Sequence, residues 1–234
     1  MPLMLTNIFS ARVLRVAMAA AAVLSLAVAP GAEAVTDTTQ FSVTAGSLAL
    51  TGNPVVPVLP NLTLNGNAQT LNATMSGWTA VDSTGSGSGW NLNVIGDSSA
   101  GKSAVFKEYC TDGTATNGCS TAVGGAAGPG YVTTSPQTLA ANSLKLNSTG
   151  ATMTAGGGST GTAPTHLCSA GCNLDTASAV KVGSAAANAG MGTWTAGGYS
   201  ATSIALTAPT TIKAIGTGNK VYHVDMIWTL ASGP

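Results

Sequence analysis

Tyr222-His-Val-Asp-Met-Ile-Trp228-Thr-Leu230-Ala-Ser-Gly-Pro234 is the longest strand-like run of the chain. Side chains alternate along an extended strand, so Trp228 and Leu230 share one face. Far upstream, Gly89-Trp90-Asn-Leu92-Asn-Val94 repeats the same unit, with Trp90 and Leu92 on one face. Each motif presents one large ring and one branched aliphatic as a paired apolar unit. All four tryptophans sit in a Trp-x-small-or-Leu pattern: Trp78-Thr-Ala80, Trp90-Asn-Leu92, Trp194-Thr-Ala196 and Trp228-Thr-Leu230. That pattern suits strands that each bury a ring.

Working outward, no long segment holds a helical period with caps. Short β-branched or alternating runs recur instead. Strands are expected near Phe41–Thr44, Ser47–Leu50, Leu62–Leu64, Gln69–Met75, Thr79–Asp82, Trp90–Ile95, Ser103–Tyr109, Tyr131–Thr134, Ser143–Leu146, Thr193–Thr195, Ser203–Thr207 and Lys220–Leu230. Gly, Asn and Pro clusters separate them. Many short strands with Gly-rich turns predict an all-β fold, an antiparallel β-sandwich of immunoglobulin-like type with long Gly/Ser/Thr-rich loops. Lys220–Leu230, the longest candidate, is expected to pair centrally. The stretches Gly113 to Gly130 and Ala151 to Pro164 lack bulky residues and read as loops.

The start of the chain carries Arg12 and Arg15, an apolar run from Val16 to Ala29, and Ala32-Glu33-Ala34. A positive n-region, a short h-region and an A-x-A site predict a secretory signal peptide over 1–34. The run is shorter than the ~20 apolar residues that span a bilayer. The remainder, 35–234, is expected to be one β-domain with a loop-rich excursion at about 110–190. No sortase signal or apolar tail is visible, so retention at a surface would be non-covalent.

Charge is sparse, with eight Lys plus Arg balancing eight Asp plus Glu. Beyond residue 34 the cations are Lys102, Lys107, Lys145, Lys181, Lys213 and Lys220. No basic patch is available to neutralise phosphates, so a nucleic-acid partner is not expected. Surface polarity must come from Thr, Ser, Asn and Gly.

The cysteines are Cys110, Cys119, Cys168 and Cys172, an even number in a chain expected to be exported. Three pairings exist. Cys110–Cys119 and Cys168–Cys172 are favoured because each pair brackets a turn-rich loop. Metal binding by His166-x-Cys168-x3-Cys172 lacks a fourth ligand and a zinc-ribbon spacing, so no metal or other cofactor is expected.

Tempting catalytic strings carry little. Gly96-Asp-Ser-Ser-Ala-Gly101-Lys102-Ser103 matches the P-loop pattern letter for letter, yet no helix is expected after it to hold phosphates. Gly157-Gly-Ser159-Thr-Gly161 fits a nucleophile elbow but lies in low-complexity sequence. A triad would have to draw on His166 or His223 with Asp175 or Asp225. Enzymatic activity is not expected.

The two Trp-x-Leu motifs, one of them close to Pro234, resemble the signature of WxL-domain surface proteins. The likeness extends to Phe41-Ser-Val-Thr-Ala-Gly-Ser-Leu-Ala-Leu50, to Val81-Asp82-Ser-Thr-Gly-Ser-Gly-Ser-Gly89-Trp90, and to Gly190-Met191-Gly192-Thr-Trp194. The cysteine loops depart from the family pattern. The resemblance implies a secreted protein held non-covalently on the peptidoglycan of a Gram-positive-type wall. It also implies a protein partner, a WxL-interacting surface protein or another WxL protein. Under it Trp90, Leu92, Tyr222, Trp228 and Leu230 become candidates for contact with wall or partner. Burial tendencies alone favour the core for the same rings. A structural subunit of a pilus- or layer-like assembly is the second expectation, and a small secreted hydrolase a distant third.

Overall fold

A computed structural model describes residues 39–112, 119, 129–215 and 219–234. The expected signal peptide at 1–34 lies outside the described residues, as does most of the 113–128 stretch. The chain divides into Met1–Val43 and a compact unit Thr44–Pro234. Of the first, only Thr39–Val43 is described. It forms no strand, with Phe41 91% and Val43 82% exposed, so the expected strand at Phe41–Thr44 is not made.

Within the described residues the second unit is all-β, without helix. Its strands are β1 (Leu48–Gly52), β2 (Gln69–Ala73), β3 (Trp78–Asp82), β4 (Trp90–Gly96), β5 (Lys107–Cys110), β6 (Gly130–Tyr131), β7 (Leu144–Leu146) and β8 (Thr152–Gly156). They continue with β9 (Thr165–His166), β10 (Cys172–Asn173), β11 (Val180–Ala185), β12 (Gly192–Gly197), β13 (Ile204–Ala208), β14 (Lys220–His223) and β15 (Met226–Ser232). Four antiparallel sheets form, in the orders β1-β3-β12-β8, β10-β7-β13-β2, β15-β4-β11-β9 and β14-β5-β6. The first three pack their apolar faces into one core containing Trp78, Trp90, Leu92, Val94, Leu144, Ile204 and Leu206. This is the antiparallel sandwich that alternating patterning implies.

The buried–partial–buried alternation of β3 and β4 is the period-2 pattern in physical form. Two strands escaped it for identifiable reasons. β11 reads Val-Lys-Val-Gly-Ser-Ala, weak in strand formers, yet it lies between β4 and β9. The Trp78 ring lies close over its Gly183. A Cβ there would meet Trp78 Cη2 at 3.1 Å, and the register shifts between Lys181 and Gly183. β8 falls inside the stretch expected to be loop. It pairs along β12 from Thr152 to Gly156, and only its Met153 packs against the core. Conversely Leu62–Leu64 forms no strand: Pro54, Pro57 and Pro60 before it remove ladder donors from the segment.

The largest correction concerns Lys220–Leu230. It is not one strand but two, broken at Val224-Asp225, and the halves belong to different sheets. β15 pairs only with β4 and is an edge strand, not a central one.

Candidate functional site

The two Trp-x-Leu motifs lie side by side. β15 runs antiparallel to β4, with Leu230 opposite Leu92, Trp228 opposite Val94 and Ser232 opposite Trp90. Opposed residues of an antiparallel pair share a face, so both rings and both leucines point toward the core. Position in the sheet separates their fates. Trp90 and Leu92 are 0% exposed because β11 covers the other side of β4. Trp228 and Leu230, on the edge, are only partly buried against the same core. The neighbouring edge strand β1 runs close to β15 without hydrogen-bonding to it, and its Leu48 and Leu50 are likewise partly buried.

Trp90 is anchored by Gly190 and Trp78. Its Nε1–H donates to the Gly190 carbonyl at 3.0 Å, and its ring meets the Trp78 edge at 6.2 Å between centroids. Gly190 adopts φ +69°, and a Cβ there would sit 2.7 Å from the Trp90 indole nitrogen. Only glycine allows that approach. Trp90 and Leu92, candidates for contact on resemblance, are therefore core residues in the folded state and reach a ligand only through the shape they support.

The middle residues of the motifs face the other way. Asn91, Asn93 and Ile95 of β4 stand beside Ala231, Thr229 and Ile227 of β15. On the far side Lys181 and Ser184 of β11 oppose Asn93 and Asn91. The outer face of this sheet is thus a strip of amides and hydroxyls with an apolar Ile95–Ile227 pair at one end and the exposed Lys181 at its flank. The sequence reading singled out the Trp and Leu positions and missed this strip. The signal was present in the alternation itself: if Trp and Leu point inward, the residue between them points out.

A chain of hydroxyls fastens the end of β15. Asp82 Oδ1 accepts from Thr84 Oγ1 at 2.7 Å. Thr84, Ser86 and Ser88 then follow at 2.9 Å steps, and Ser88 reaches Ser232 at 2.8 Å. Asn91 Nδ2 donates to the Gly233 carbonyl, and Ser184 Oγ donates to Asn91 Oδ1 at 2.9 Å. The Gly/Ser loop between β3 and β4 is therefore a tether from a buried carboxylate to the edge strand.

Asp225 holds the opposite end, and it explains the break between β14 and β15. Its carboxylate accepts from Tyr131 Oη at 2.5 Å, from Lys102 Nζ at 3.0 Å and from the Ser103 N–H at 3.2 Å. Its backbone donates to the Ser103 carbonyl and accepts from the Asp97 N–H. Burial would raise its pKa, but these donors outweigh it and hold the carboxyl below the usual 3.8. Tyr131 is pushed far up, first by burial and then by its bond to Asp225. His223 lies with Nδ1 2.7 Å from Tyr131 Oη and stacks on Tyr109. The P-loop-like Gly96–Ser103 stretch is thus a loop whose lysine and backbone grip Asp225, with no helix after it. Tyr222, on β14, belongs to a different sheet from Trp228; its hydroxyl donates to the Lys213 carbonyl at 2.8 Å.

The elbow-like Ser159 is committed locally. Its hydroxyl donates to the Gly156 carbonyl at 2.7 Å and accepts from the Thr193 N–H at 2.8 Å. Asp175, 0% exposed, accepts the N–H groups of Ser143 and Leu144. Burial raises its pKa and those backbone donors act against the rise. His166 packs edge-on against Trp78 and Tyr199, with Nε2 buried and unpaired. Burial lowers its pKa. Cys110 bonds Cys119, and Cys168 bonds Cys172, so the thiolates of the considered His166–Cys168–Cys172 metal set are taken by a disulfide. Among the described residues no other cluster of His, Cys, Asp and Glu gathers with metal-binding geometry.

Two disulfides fit an oxidising setting, and no helix among the described residues is long and apolar enough to cross a membrane. The class these features define is a disulfide-stapled antiparallel β-domain. Comparison with protein-family models, with curated proteins and with solved structures finds no match for the chain.

Proposed function

We propose that this is a non-enzymatic, secreted surface protein of WxL type that attaches non-covalently to peptidoglycan through the outer face of β15, β4 and β11. The supporting observation is the division of labour across those strands. The ring-and-aliphatic pairs turn inward, and their middle residues Asn91 and Thr229, with Asn93, Ser184 and Lys181, turn outward. Asn amides and Thr and Ser hydroxyls both donate and accept, which matches glycan hydroxyls and N-acetyl amides. The Ile95–Ile227 pair offers an apolar seat for N-acetyl methyl groups, and Lys181 a counter-charge for stem-peptide carboxylates. Each such contact is weak in water; a repeating polymer sums them. The resemblance to WxL proteins, carried by the paired motifs, points the same way and adds a wall-associated protein partner to the reading.

The test is co-sedimentation with purified sacculi. Wild-type protein is expected in the pellet, released by salt, detergent or denaturant with the sacculi intact. Asn93→Glu and Lys181→Glu alter outward side chains only, so retention should fall about tenfold, equivalent to ~1.4 kcal/mol, at an unchanged urea midpoint. Wild-type-like sedimentation of both variants would refute the assignment of this face, and solubilised sacculi would refute the non-enzymatic reading.

A further inference from the structure

Every edge strand exposes unpaired backbone groups, and most edges here are blunted. β6, β9 and β10 have two residues each. β1 carries a register shift between Leu50 and Gly52, and β14 carries Lys220 and His223. β15 is the longest edge strand among the described residues, at seven. It reads Met-Ile-Trp-Thr-Leu-Ala-Ser, without charge, proline or bulge.

The direction of its free groups follows from two bonds. Gly233 N–H donates to the Gly89 carbonyl, so the 89/233 pair is hydrogen-bonded. Gly96 N–H donates to the Thr176 carbonyl, away from β15. Hydrogen-bonded pairs alternate in an antiparallel ladder, so Ile227, Thr229 and Ala231 bond to β4. Trp228 and Leu230 therefore turn their N–H and C=O to the open edge, flanked by Met226 and Ser232. No described backbone group bonds to them there.

We infer that β15 pairs antiparallel with β15 of a second copy of this chain, about a two-fold axis through Thr229. The register is self-complementary. With Thr229 opposite Thr229 of the second copy, Trp228 faces Leu230 and Leu230 faces Trp228. The outward-pointing residues 226, 228, 230 and 232 then meet only one another, so the free N–H and C=O groups satisfy each other in reciprocal pairs. Each partly buried indole lies on the same face as the leucine opposite, and both gain cover in one step. A tripeptide Trp-x-Leu fits its own copy in this way because the ring and the aliphatic flank a central residue.

Charge sets no barrier to the pairing. The closest charged residue in sequence is Asp225, which would fall beside Gly233 of the second copy, several residues from its own equivalent. β1 runs close to β15, but its hydrogen bonds go to β3, so it leaves the backbone groups of Trp228 and Leu230 unpaired. One seven-residue strand on each side buries less than the ~1,200 Å² of a standard stable interface, so the pair is weak and concentration-dependent. It would join the two four-stranded sheets into one and set their outer strips side by side.

Sedimentation velocity of purified protein over a wide concentration range tests it. The wild type is expected to shift reversibly from monomer toward dimer. Thr229→Lys and Thr229→Asp change an exposed side chain directly on the axis. Each should remain monomeric alone through like-charge repulsion, and the equimolar mixture should recover the dimer. Thr229→Cys should form a 229–229 disulfide under mild oxidation, mapped by mass spectrometry, well ahead of the exposed control Thr207→Cys. A wild type that stays monomeric at millimolar concentration would overturn the proposal and assign the edge to a different partner. So would Thr229→Cys coupling no faster than the control, or a lysine/aspartate mixture that fails to associate.

Discussion

Truncating the two rings of the paired motif should have unequal consequences, even though the local sequences are nearly the same. Trp90 is fully enclosed, donates to Gly190 and meets Trp78 edge-on. Its replacement by Ala removes a buried aromatic, at about 3–5 kcal/mol. It also leaves the Gly190 carbonyl without its donor, at about 1–3 kcal/mol more. The sum, roughly 4–8 kcal/mol, is comparable with the whole stability of an ordinary domain, about 5–15 kcal/mol. Trp90→Ala is therefore expected not to accumulate folded. Trp90→Phe keeps most of the ring, loses the donor and should cost about 2–4 kcal/mol. Trp228 sits on the open edge and buries only part of its surface. An aromatic side chain buries about 150–250 Å², so half of that at ~25 cal/mol per Å² gives about 2–3 kcal/mol, and water can refill the site. Trp228→Ala should thus fold with a lowered midpoint. Urea titrations followed by far-UV circular dichroism compare the three variants independently of indole fluorescence. If Trp228→Ala proved as damaging as Trp90→Ala, the edge placement of β15 would be wrong.

Asp225→Ala should cost about 3 kcal/mol at pH 7, because the Tyr131 hydroxyl and the Ser103 N–H both lose a charged acceptor. The Asp225 carboxyl is held below its usual 3.8, so its contribution is present above that value and is lost as pH falls through the folded pKa; the gap between wild type and variant should close in acid. His166 has a lowered pKa, so the unfolded chain takes up its proton first, near 6.5. Wild-type stability should decline between pH 7 and pH 5, and the His166→Phe profile should be flatter over that window. Removing Cys168–Cys172 as a double alanine variant should cost about 2 kcal/mol, and removing Cys110–Cys119 about 2.5 kcal/mol, because they close short loops with sequence separations of 4 and 9. Denaturation midpoints of the two double variants, compared with wild type, check this.

Several features were legible without coordinates because they depend on local rules. Alternation placed Trp90–Leu92 and Trp228–Leu230 each on one face, and turn chemistry separated most of the strands. The bracketing of Gly-rich loops anticipated both disulfides. Other features depend on partners distant in sequence. β11 is a central strand whose Gly183 fits beneath Trp78, a packing relation no propensity expresses. Lys220–Leu230 broke because Asp225 is gripped by Lys102, Ser103 and Tyr131, residues about 100 positions away.

The sequence alone therefore determined an antiparallel β protein with two matched ring-and-aliphatic units and local disulfide staples, since strand alternation and short-loop closure act between near neighbours. Only the tertiary structure decided that the two units are adjacent strands in one sheet, with Leu92 facing Leu230, the first sealed in the core and the second left on an edge. Sheet order makes that difference: a strand flanked on both sides is enclosed, and the same motif one place further out keeps a free edge.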